Sequence, residues 1–141
     1  MNQIAEGLYQ GALWDAVKGP LPDVDVILLL TPESEKVSLP IKEGVEIRRF
    51  PITDAQLGLD RWTFERLSGI CKDIATKRVL TLCFRGENRA GLASALILYH
   101  RGVSPENAIE TVQRNGPLKS VERPHALWNQ GFVRQIRSLA A

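Results

Sequence analysis

The chain has 141 residues, of which 44% are hydrophobic and 24% are charged, and its formal net charge is +2. This length and composition predict one globular domain over residues 1–141, with enough apolar side chains for a substantial core. The small net charge gives no indication of a nucleic acid partner, and no apolar run approaches the roughly 20 residues that a membrane span needs. Because two cysteines do not make a disulfide framework, we expect a reducing compartment, the cytoplasm.

In the first half of the chain, predicted strands surround one short predicted helix. Residues 7–11 form a short segment bounded by glycines, residues 24–30 are apolar enough to be covered on both faces, and residues 45–50 alternate in polarity. Thr31 is a suitable N-cap, and the short helix that it begins is expected to end before Pro40. These patterns predict three strands of one sheet.

The second half begins with helical periodicity, because apolar residues recur at three- and four-residue spacing over residues 60–77. A strand over residues 78–82 then leads into Cys83, and the helix beyond Arg89 is apolar nearly all round, so it should be central and buried. Two further helices are predicted: one from Ser104 to Gly116 and one over residues 125–139. This order predicts an α/β domain with a central, largely parallel sheet of about four to five strands flanked by helices.

Two polar side chains lie at the carboxyl ends of predicted strands. Asp54 follows the strand at residues 45–50, and Cys83 ends the strand at residues 78–82. In a parallel sheet these ends lie at one edge, where such folds bind their ligands. The sequence therefore predicts that Asp54 and Cys83 belong to one site.

The loop from Cys83 to Arg89 is predicted to bind an anion. Backbone N–H groups in a tight turn that leads into a helix N-terminus bind anions, and the helix dipole adds positive potential. Such surroundings also lower the pKa of a thiol. A thiolate nucleophile, an anion-binding turn and an arginine fork together indicate chemistry on a phosphoryl group.

With this strand–loop–helix context, the internal Gly86 and the upstream Asp54, the chain resembles the dual-specificity branch of the cysteine-dependent protein tyrosine phosphatases. The resemblance covers nearly the whole chain: residues 7–11 resemble the opening strand, 50–54 the general-acid loop and 83–89 the signature loop. Residues 129–136 are similar to the family's Asn-x-x-Phe-x-x-Gln-Leu ending, with Ile136 in place of the leucine. Residues 86–91 and 123–129 are similar to compact bacterial and phage members.

The resemblance implies metal-independent hydrolysis of phosphoric monoesters through a phosphocysteine intermediate, without a cofactor. Cys83 would be the nucleophile, Arg89 would bind two phosphoryl oxygens, and Asp54 would be the general acid and then the general base. The backbone of the loop would bind the phosphate, or a sulfate in its place, through Phe84, Arg85, Gly86, Glu87, Asn88 and Arg89. The implied partner is a phosphorylated protein or peptide, with phosphotyrosine as the first substrate and phosphoserine and phosphothreonine left open.

Two positions depart from the pattern of this family. Leu82 replaces the usual histidine before the nucleophile, and Ala90 replaces the usual serine or threonine after the arginine. Both usual side chains stabilise the thiolate, and the hydroxyl helps sulfur to leave the phosphoenzyme. We therefore expect a raised Cys83 pKa and a second step that is slowed more than the first.

Several positions allow more than one interpretation. Asp60 is the nearest rival of Asp54 for the role of general acid. Cys71 lies on the apolar stripe of a predicted helix and is predicted to be a core thiol rather than a redox partner of Cys83. Arg85 is equally compatible with substrate contact and with solvation. Asn88 and Asn129 are predicted to be structural braces. Four further side chains are predicted to have packing or helix-end roles: Trp62, Trp128, His100 and His125.

Three other functions remain open from the residues alone. The substrate of a phosphatase of this kind could be a phosphoinositide or the 5′ phosphate of RNA, although the sequence shows no basic cluster for either. Leu82 and Ala90 also fit a phosphate-binding module that retains the loop but catalyses poorly. A rhodanese-like sulfurtransferase is a more distant alternative, because the loop of that family is usually one residue shorter.

Overall fold

Five strands form one sheet in the computed structural model, which describes residues 1–32 and 37–140. The strands are β1 (Asn2–Ala5), β2 (Leu8–Ala12), β3 (Val26–Leu29), β4 (Glu46–Arg49) and β5 (Val79–Cys83). Their order across the sheet is β1-β2-β5-β3-β4. The β1–β2 pair is antiparallel and the other three pairs are parallel, which confirms the predicted α/β fold with a largely parallel sheet.

Helices cover both faces of this sheet. In the described part of the chain they are α1 (Leu13–Lys18), α2 (Arg61–Ile74), α3 (Arg89–His100), α4 (Pro105–Asn115) and α5 (Gln130–Ser138). Side chains of α1 share a core cluster with Ile27, Leu29 and Leu80. The longer helices α2 to α5 share the other cluster, which includes Val26, Leu28 and Val79. Alternate strand residues therefore face opposite layers.

The elements that lead into and out of the predicted anion-binding loop are deeply buried. Every residue of β5 is buried, and so are residues 90–98 of α3, as the apolar character of both segments predicts. Fully burying one leucine contributes about 1.5–3 kcal/mol, so these two elements are strongly anchored. The loop between Cys83 and Arg89 is consequently held at both ends.

Two short elements were not predicted, and one prediction lies outside the described residues. β1 carries a single fully buried side chain, Ile4, and α1 follows β2 without a side-chain cap, so neither has a clear sequence pattern. The helix predicted from Thr31 falls on residues 33–36, which are outside the described part of the chain. Residues 37–40, which follow them, have no regular structure.

The predicted start of the last helix at residue 125 is wrong, because α5 begins at Gln130. Leu127 has a φ of 50°, which interrupts a helical path. Asn129 is the N-cap of α5, and its side chain accepts a hydrogen bond from the Phe132 N–H (3.1 Å). The segment before α5 is instead used for contacts with the loop that follows β5. Within the described residues, no helix is both long and apolar enough to cross a membrane.

Candidate active site

The loop that follows β5 packs closely against the end of β2. Gly86 has a φ of +77°, and a Cβ atom added to it would lie 2.5 Å from the backbone carbon of Gly11. Gln10, which is fully buried on β2, donates from Nε2 to the Gly86 carbonyl oxygen (2.8 Å). The positive φ and the close approach to Gly11 require glycine at position 86, and the hydrogen bond from Gln10 fixes the direction of its peptide group. Among the described residues, the Gln10 Oε1 atom has no hydrogen-bond partner.

Cys83 and Arg89 face one small pocket. It has a volume of about 120 Å³ and is lined by Asp54, Cys83, Phe84, Arg85, Glu87, Asn88, Arg89 and Trp128. Cys83 is only 2% exposed. Arg89 donates from Nη1 to the Thr31 hydroxyl (3.4 Å) and to the Ile52 carbonyl (3.3 Å). The pocket thus combines a thiol and a guanidinium at the carboxyl edge of the sheet.

The Cys83 thiol titrates in an environment of opposing influences. Burial raises the pKa of Cys83, and the backbone N–H of Ala90, the charge of Arg89 and the backbone N–H of Gly86 oppose this rise only in part. The general expectation of a lowered thiol pKa in such a loop is therefore not met. The raised pKa of Cys83 agrees in direction with the expectation drawn from Leu82 and Ala90, although its main cause is burial.

Asp54 lines the same pocket as Cys83 and is held there by two amides. Asn129 donates from Nδ2 to Asp54 Oδ1 (2.7 Å), and Asn88 donates from Nδ2 to Asp54 Oδ2 (3.2 Å). Asn129 also donates its backbone N–H to Asn88 Oδ1 (2.9 Å) and its side-chain amide to the Ala55 carbonyl (2.9 Å). These bonds fix the loop after β4 against the loop after β5. Both asparagines act as braces, as the sequence predicts.

The rival acid, Asp60, is engaged elsewhere. It is the N-cap of α2, and its carboxylate accepts hydrogen bonds from the Thr63 N–H (2.9 Å) and hydroxyl (2.7 Å). These two bonds lower the pKa of Asp60. Asp60 does not line the pocket that contains Cys83. The geometry therefore brings Asp54, and not Asp60, to Cys83 and Arg89.

Glu87 has a structural role that the sequence did not indicate. Glu87 is only 2% exposed. Its carboxylate accepts four hydrogen bonds: from Trp128 Nε1 (2.8 Å), from Ser120 Oγ (2.8 Å), and from the backbone N–H groups of Lys119 (2.8 Å) and Ser120 (3.1 Å). Burial alone would raise the pKa of Glu87, but these hydrogen bonds outweigh it and lower the pKa. Because these donors lie 32 to 41 residues along the chain, no local pattern could reveal them.

Replacing Glu87 with glutamine is expected to lower the free energy of unfolding by about 2 kcal/mol near neutral pH, since an amide presents a donor where four donors converge. A carboxyl whose pKa is lower in the folded state stabilises the fold above its unfolded pKa, about 4.3, and this stabilisation is lost as the pH falls through the folded pKa. Urea unfolding should therefore show the full difference near neutral pH and a smaller one below about pH 4. Glu122→Gln is the control, because Glu122 is exposed and lies next to the segment that donates to Glu87. An equal loss of stability in both variants would contradict the structural role of Glu87.

The remaining predicted residues have mixed outcomes. Cys71 is fully buried, which raises its thiol pKa, and its Sγ donates to the Ala93 carbonyl (3.6 Å), so the prediction of a core thiol is confirmed. His100 lies at the end of α3, as predicted, but His125 lies outside any helix. Trp62 is 65% exposed, so it is not a core residue, and the guanidinium of Arg66 covers its ring (4.6 Å).

A larger cavity of about 470 Å³ lies at the amino ends of the parallel strands, away from Cys83, between residues 18–25 and 40–45. Arg78 in its wall forms ion pairs with Asp23 (2.7 Å) and Asp25 (2.8 Å). These charges satisfy one another, and no cysteine or histidine lines the cavity. We therefore assign the candidate site to the smaller pocket. In the described part of the chain, no group of three or more His, Cys, Asp or Glu side chains could hold a metal ion.

Comparisons with known proteins give a result at the level of structure. No protein-family model matches the chain, and no curated protein matches it. A mouse putative dual specificity phosphatase has a TM-score of 0.71 at 20% identity, over 97% of this chain and 84% of that one. Human DUSP28 has a TM-score of 0.68 at 20% identity, over 99% of this chain and 95% of its own.

This chain has the dual-specificity phosphatase fold. Tk-PTP in its active form has the same fold, with a TM-score of 0.58 at 28% identity over 84% of this chain and 79% of that chain. The similarity extends over 79% to 95% of the length of these three structures. The resemblance predicted from residues 7–11, 50–54 and 83–89 is therefore confirmed as a dual-specificity phosphatase fold.

Proposed function

We propose that this chain is a cysteine-dependent phosphoric monoester hydrolase of the protein tyrosine and dual-specificity type, with residues 1–141 as one catalytic domain. The observation that carries the proposal is that Cys83, Arg89 and Asp54 line one pocket of about 120 Å³. Proteins of similar structure include one named as a putative dual specificity phosphatase and one named as a tyrosine phosphatase, which supports this activity. Since Cys83 must stay reduced, we propose the cytoplasm as its location, and phosphorylated proteins or peptides as its substrates.

In the first step, the Cys83 thiolate attacks phosphorus, so an S–P bond forms while the bond to the ester oxygen breaks. The leaving oxygen takes the proton of Asp54, which the amides of Asn88 and Asn129 hold at the pocket. Arg89 and the backbone of the loop bind the phosphoryl oxygens and stabilise the charge that spreads over them. Inorganic phosphate or sulfate should bind to the same groups.

In the second step, the Asp54 carboxylate accepts a proton from a water molecule that attacks the phosphocysteine. The S–P bond breaks, phosphate is released, and sulfur leaves as a thiolate. A hydroxyl donor beside the sulfur would stabilise this leaving thiolate, but Ala90 has only a methyl group at that position. The backbone N–H of Ala90 remains as a donor to Cys83 Sγ. The second step is therefore proposed to be the slower one.

The test of this function is hydrolysis of p-nitrophenyl phosphate by the intact chain in the presence of EDTA. Release of nitrophenolate that inorganic phosphate inhibits competitively would support the proposal. Binding of a phosphotyrosine peptide without any turnover would favour the second candidate described below. An absence of both turnover and binding would contradict the proposal.

The second candidate is a phosphate-binding module with the same loop. The raised pKa of Cys83 and the missing hydroxyl at Ala90 both favour it, because both weaken catalysis without removing the anion-binding loop. A human protein named as a tyrosine phosphatase-like serine/threonine/tyrosine-interacting protein has a similar structure, with a TM-score of 0.71 at 20% identity over 99% of this chain. The positions of Arg89 and Asp54 beside Cys83 lead us to prefer the enzyme.

Rapid-quench kinetics with p-nitrophenyl phosphate should show a burst of about one nitrophenolate per active site, followed by a slower steady state, because phosphocysteine accumulates. Ala90→Ser should raise the steady-state rate about tenfold, the equivalent of one charge-assisted hydrogen bond. Ala95→Ser makes the same change farther along α3, where the residue is also fully buried, and should leave the rate unchanged. A wild-type enzyme without a burst, whose steady-state and single-turnover rates agree, would contradict this.

Asp54→Asn should lower kcat/KM for phenyl phosphate by about 10²-fold or more, because the leaving oxygen loses its proton donor. It should also remove the basic limb of the pH–rate profile, which arises when the general acid loses its proton. Asp60→Asn is a matched control, since asparagine is as good an N-cap as aspartate. A profile that keeps its basic limb in Asp54→Asn and loses it in Asp60→Asn would reverse the assignment.

A further inference from the structure

Two arginines lie beside a second cavity that adjoins the candidate active site. This cavity has a volume of about 560 Å³ and is lined by Asp54, Arg85, Ser120, Glu122, Arg123 and Trp128. It shares Asp54, Arg85 and Trp128 with the pocket that contains Cys83. A group bound in the second cavity would therefore lie next to the leaving-group side of a phosphate bound at Cys83.

One buried carboxylate positions both arginines. Glu87 accepts hydrogen bonds from Ser120 Oγ and from Trp128 Nε1 (both 2.8 Å). Ser120 Oγ in turn accepts a hydrogen bond from Arg85 Nη1 (3.3 Å), and the guanidinium carbon of Arg123 lies 4.0 Å from the centroid of the Trp128 ring. Glu87 thus supports both exposed guanidinium groups from the interior of the fold, Arg85 through a hydrogen bond to Ser120 and Arg123 through stacking on Trp128.

Within the described residues, neither Arg85 nor Arg123 forms an ion pair. A guanidinium that stacks on an indole ring still presents the N–H groups on its edge to a carboxylate. In the first step of the proposed reaction Asp54 carries the proton that it donates, so that, among the described residues that line the cavity, Glu122 is the one charged carboxylate in that state. The cavity then carries an excess of positive charge that suits one additional anionic group.

We propose that Arg85 and Arg123 form a subsite for an acidic side chain next to the phosphorylated residue, so that the preferred substrates are phosphopeptides with a nearby Asp or Glu. This inference rests on the proposed phosphatase function. Because an extended chain rises about 3.3 Å per residue, the acidic residue should lie within about two positions of the phosphorylated one. A peptide is favoured over an inositol phosphate because Phe84, which is 40% exposed, and Trp128 offer apolar surface beside the arginines.

The test compares two phosphotyrosine peptides that differ only in a glutamate or a glutamine beside the phosphorylated residue. The wild-type kcat/KM should be about three- to fivefold higher for the acidic peptide, as expected for a partly exposed ion pair with good geometry. Arg123→Gln should bring this ratio close to one, and Arg123→Lys should give an intermediate ratio because it keeps the charge but loses the planar fork. The preference should also weaken as salt is added.

Arg114→Gln is the matched control, because Arg114 is an exposed arginine on α4 that lines neither cavity. This variant should keep the wild-type ratio; if it loses the preference as Arg123→Gln does, the effect is a general field and the subsite is wrong. A wild-type ratio near one, or a ratio that survives in Arg123→Gln, overturns the proposal. So does a higher kcat/KM for a soluble inositol bisphosphate than for the acidic peptide.

Failure of the subsite and failure of the proposed function give different results. If the chain hydrolyses p-nitrophenyl phosphate but shows no preference between the peptides, only the subsite is wrong. If it hydrolyses neither p-nitrophenyl phosphate nor the peptides, the enzymatic function is wrong. In that case the dissociation constants of the acidic and the neutral phosphotyrosine peptide are compared with the Cys83→Ser variant. Binding of the acidic peptide that is at least about threefold tighter supports the subsite, and equal dissociation constants overturn it.

Discussion

Cys83→Ser is expected to lower the rate of p-nitrophenyl phosphate hydrolysis by at least about 10⁴-fold, because an un-ionised serine hydroxyl is a much weaker nucleophile than a thiolate. The variant should fold normally, since oxygen replaces sulfur at a position that is 2% exposed and packs against the loop backbone. Arg89 and the loop stay in place. Binding of phosphate or of a phosphopeptide should therefore persist while turnover disappears.

Cys71→Ala is the control for this experiment. Cys71 is the second cysteine of the chain, it is fully buried on α2, and it does not line the pocket. Its loss should reduce stability slightly and leave the activity of the folded enzyme intact. Activity that survives in Cys83→Ser and is lost in Cys71→Ala would disprove the assignment of the nucleophile. Loss of phosphopeptide binding in a well-folded Cys83→Ser would argue that Cys83 has a structural rather than a chemical role.

Arg89→Lys is expected to lower kcat/KM by about 10³-fold, which is the scale measured for removing a donor that stabilises transition-state charge. Lysine keeps the positive charge but has no planar fork, so it cannot contact two phosphoryl oxygens at once. The donors from Arg89 to the Thr31 hydroxyl (3.4 Å) and the Ile52 carbonyl (3.3 Å) orient this fork and would also be lost.

Inhibition by orthovanadate separates a loss of transition-state binding from a loss of phosphate binding. Vanadate in the pocket resembles the five-coordinate transition state, so its affinity should fall nearly in parallel with kcat/KM, while the affinity for inorganic phosphate should fall less. Arg114→Lys makes the same substitution at an exposed position on α4 that lines neither cavity, and it serves as the matched control. An Arg89→Lys enzyme that keeps more than about a fifth of the wild-type kcat/KM would be incompatible with the bidentate role.

Local patterns predicted the elements that are long or strongly buried. The apolar runs of β3, β5 and α3 produce burial on all sides, and Asp60 and Ser104 act as N-caps through their own side chains. The common location of Asp54 and Cys83 followed from one topological rule for parallel sheets. These features are encoded within a few residues of one another, so a single sequence reveals them.

The features that the sequence did not reveal depend on contacts between distant segments. Gln10 reaches Gly86 across 76 positions, and Glu87 meets Trp128 across 41. The start of α5 was predicted too early because Trp128 and Asn129 satisfy partners in other loops instead of continuing a helix. A polar residue in such a position has the same local sequence whether it is solvated or buried, and only the fold distinguishes the two.

Asn129 gives the last helix a share in the proposed chemistry. One side chain caps α5 through its oxygen and holds Asp54 through its nitrogen. The free energy of helix capping and the free energy of acid positioning are therefore coupled and will not be additive in double mutants. Fraying at the start of α5 would remove the shorter of the two amide hydrogen bonds that hold Asp54, so the order of the C-terminal helix and the position of the proposed proton donor change together.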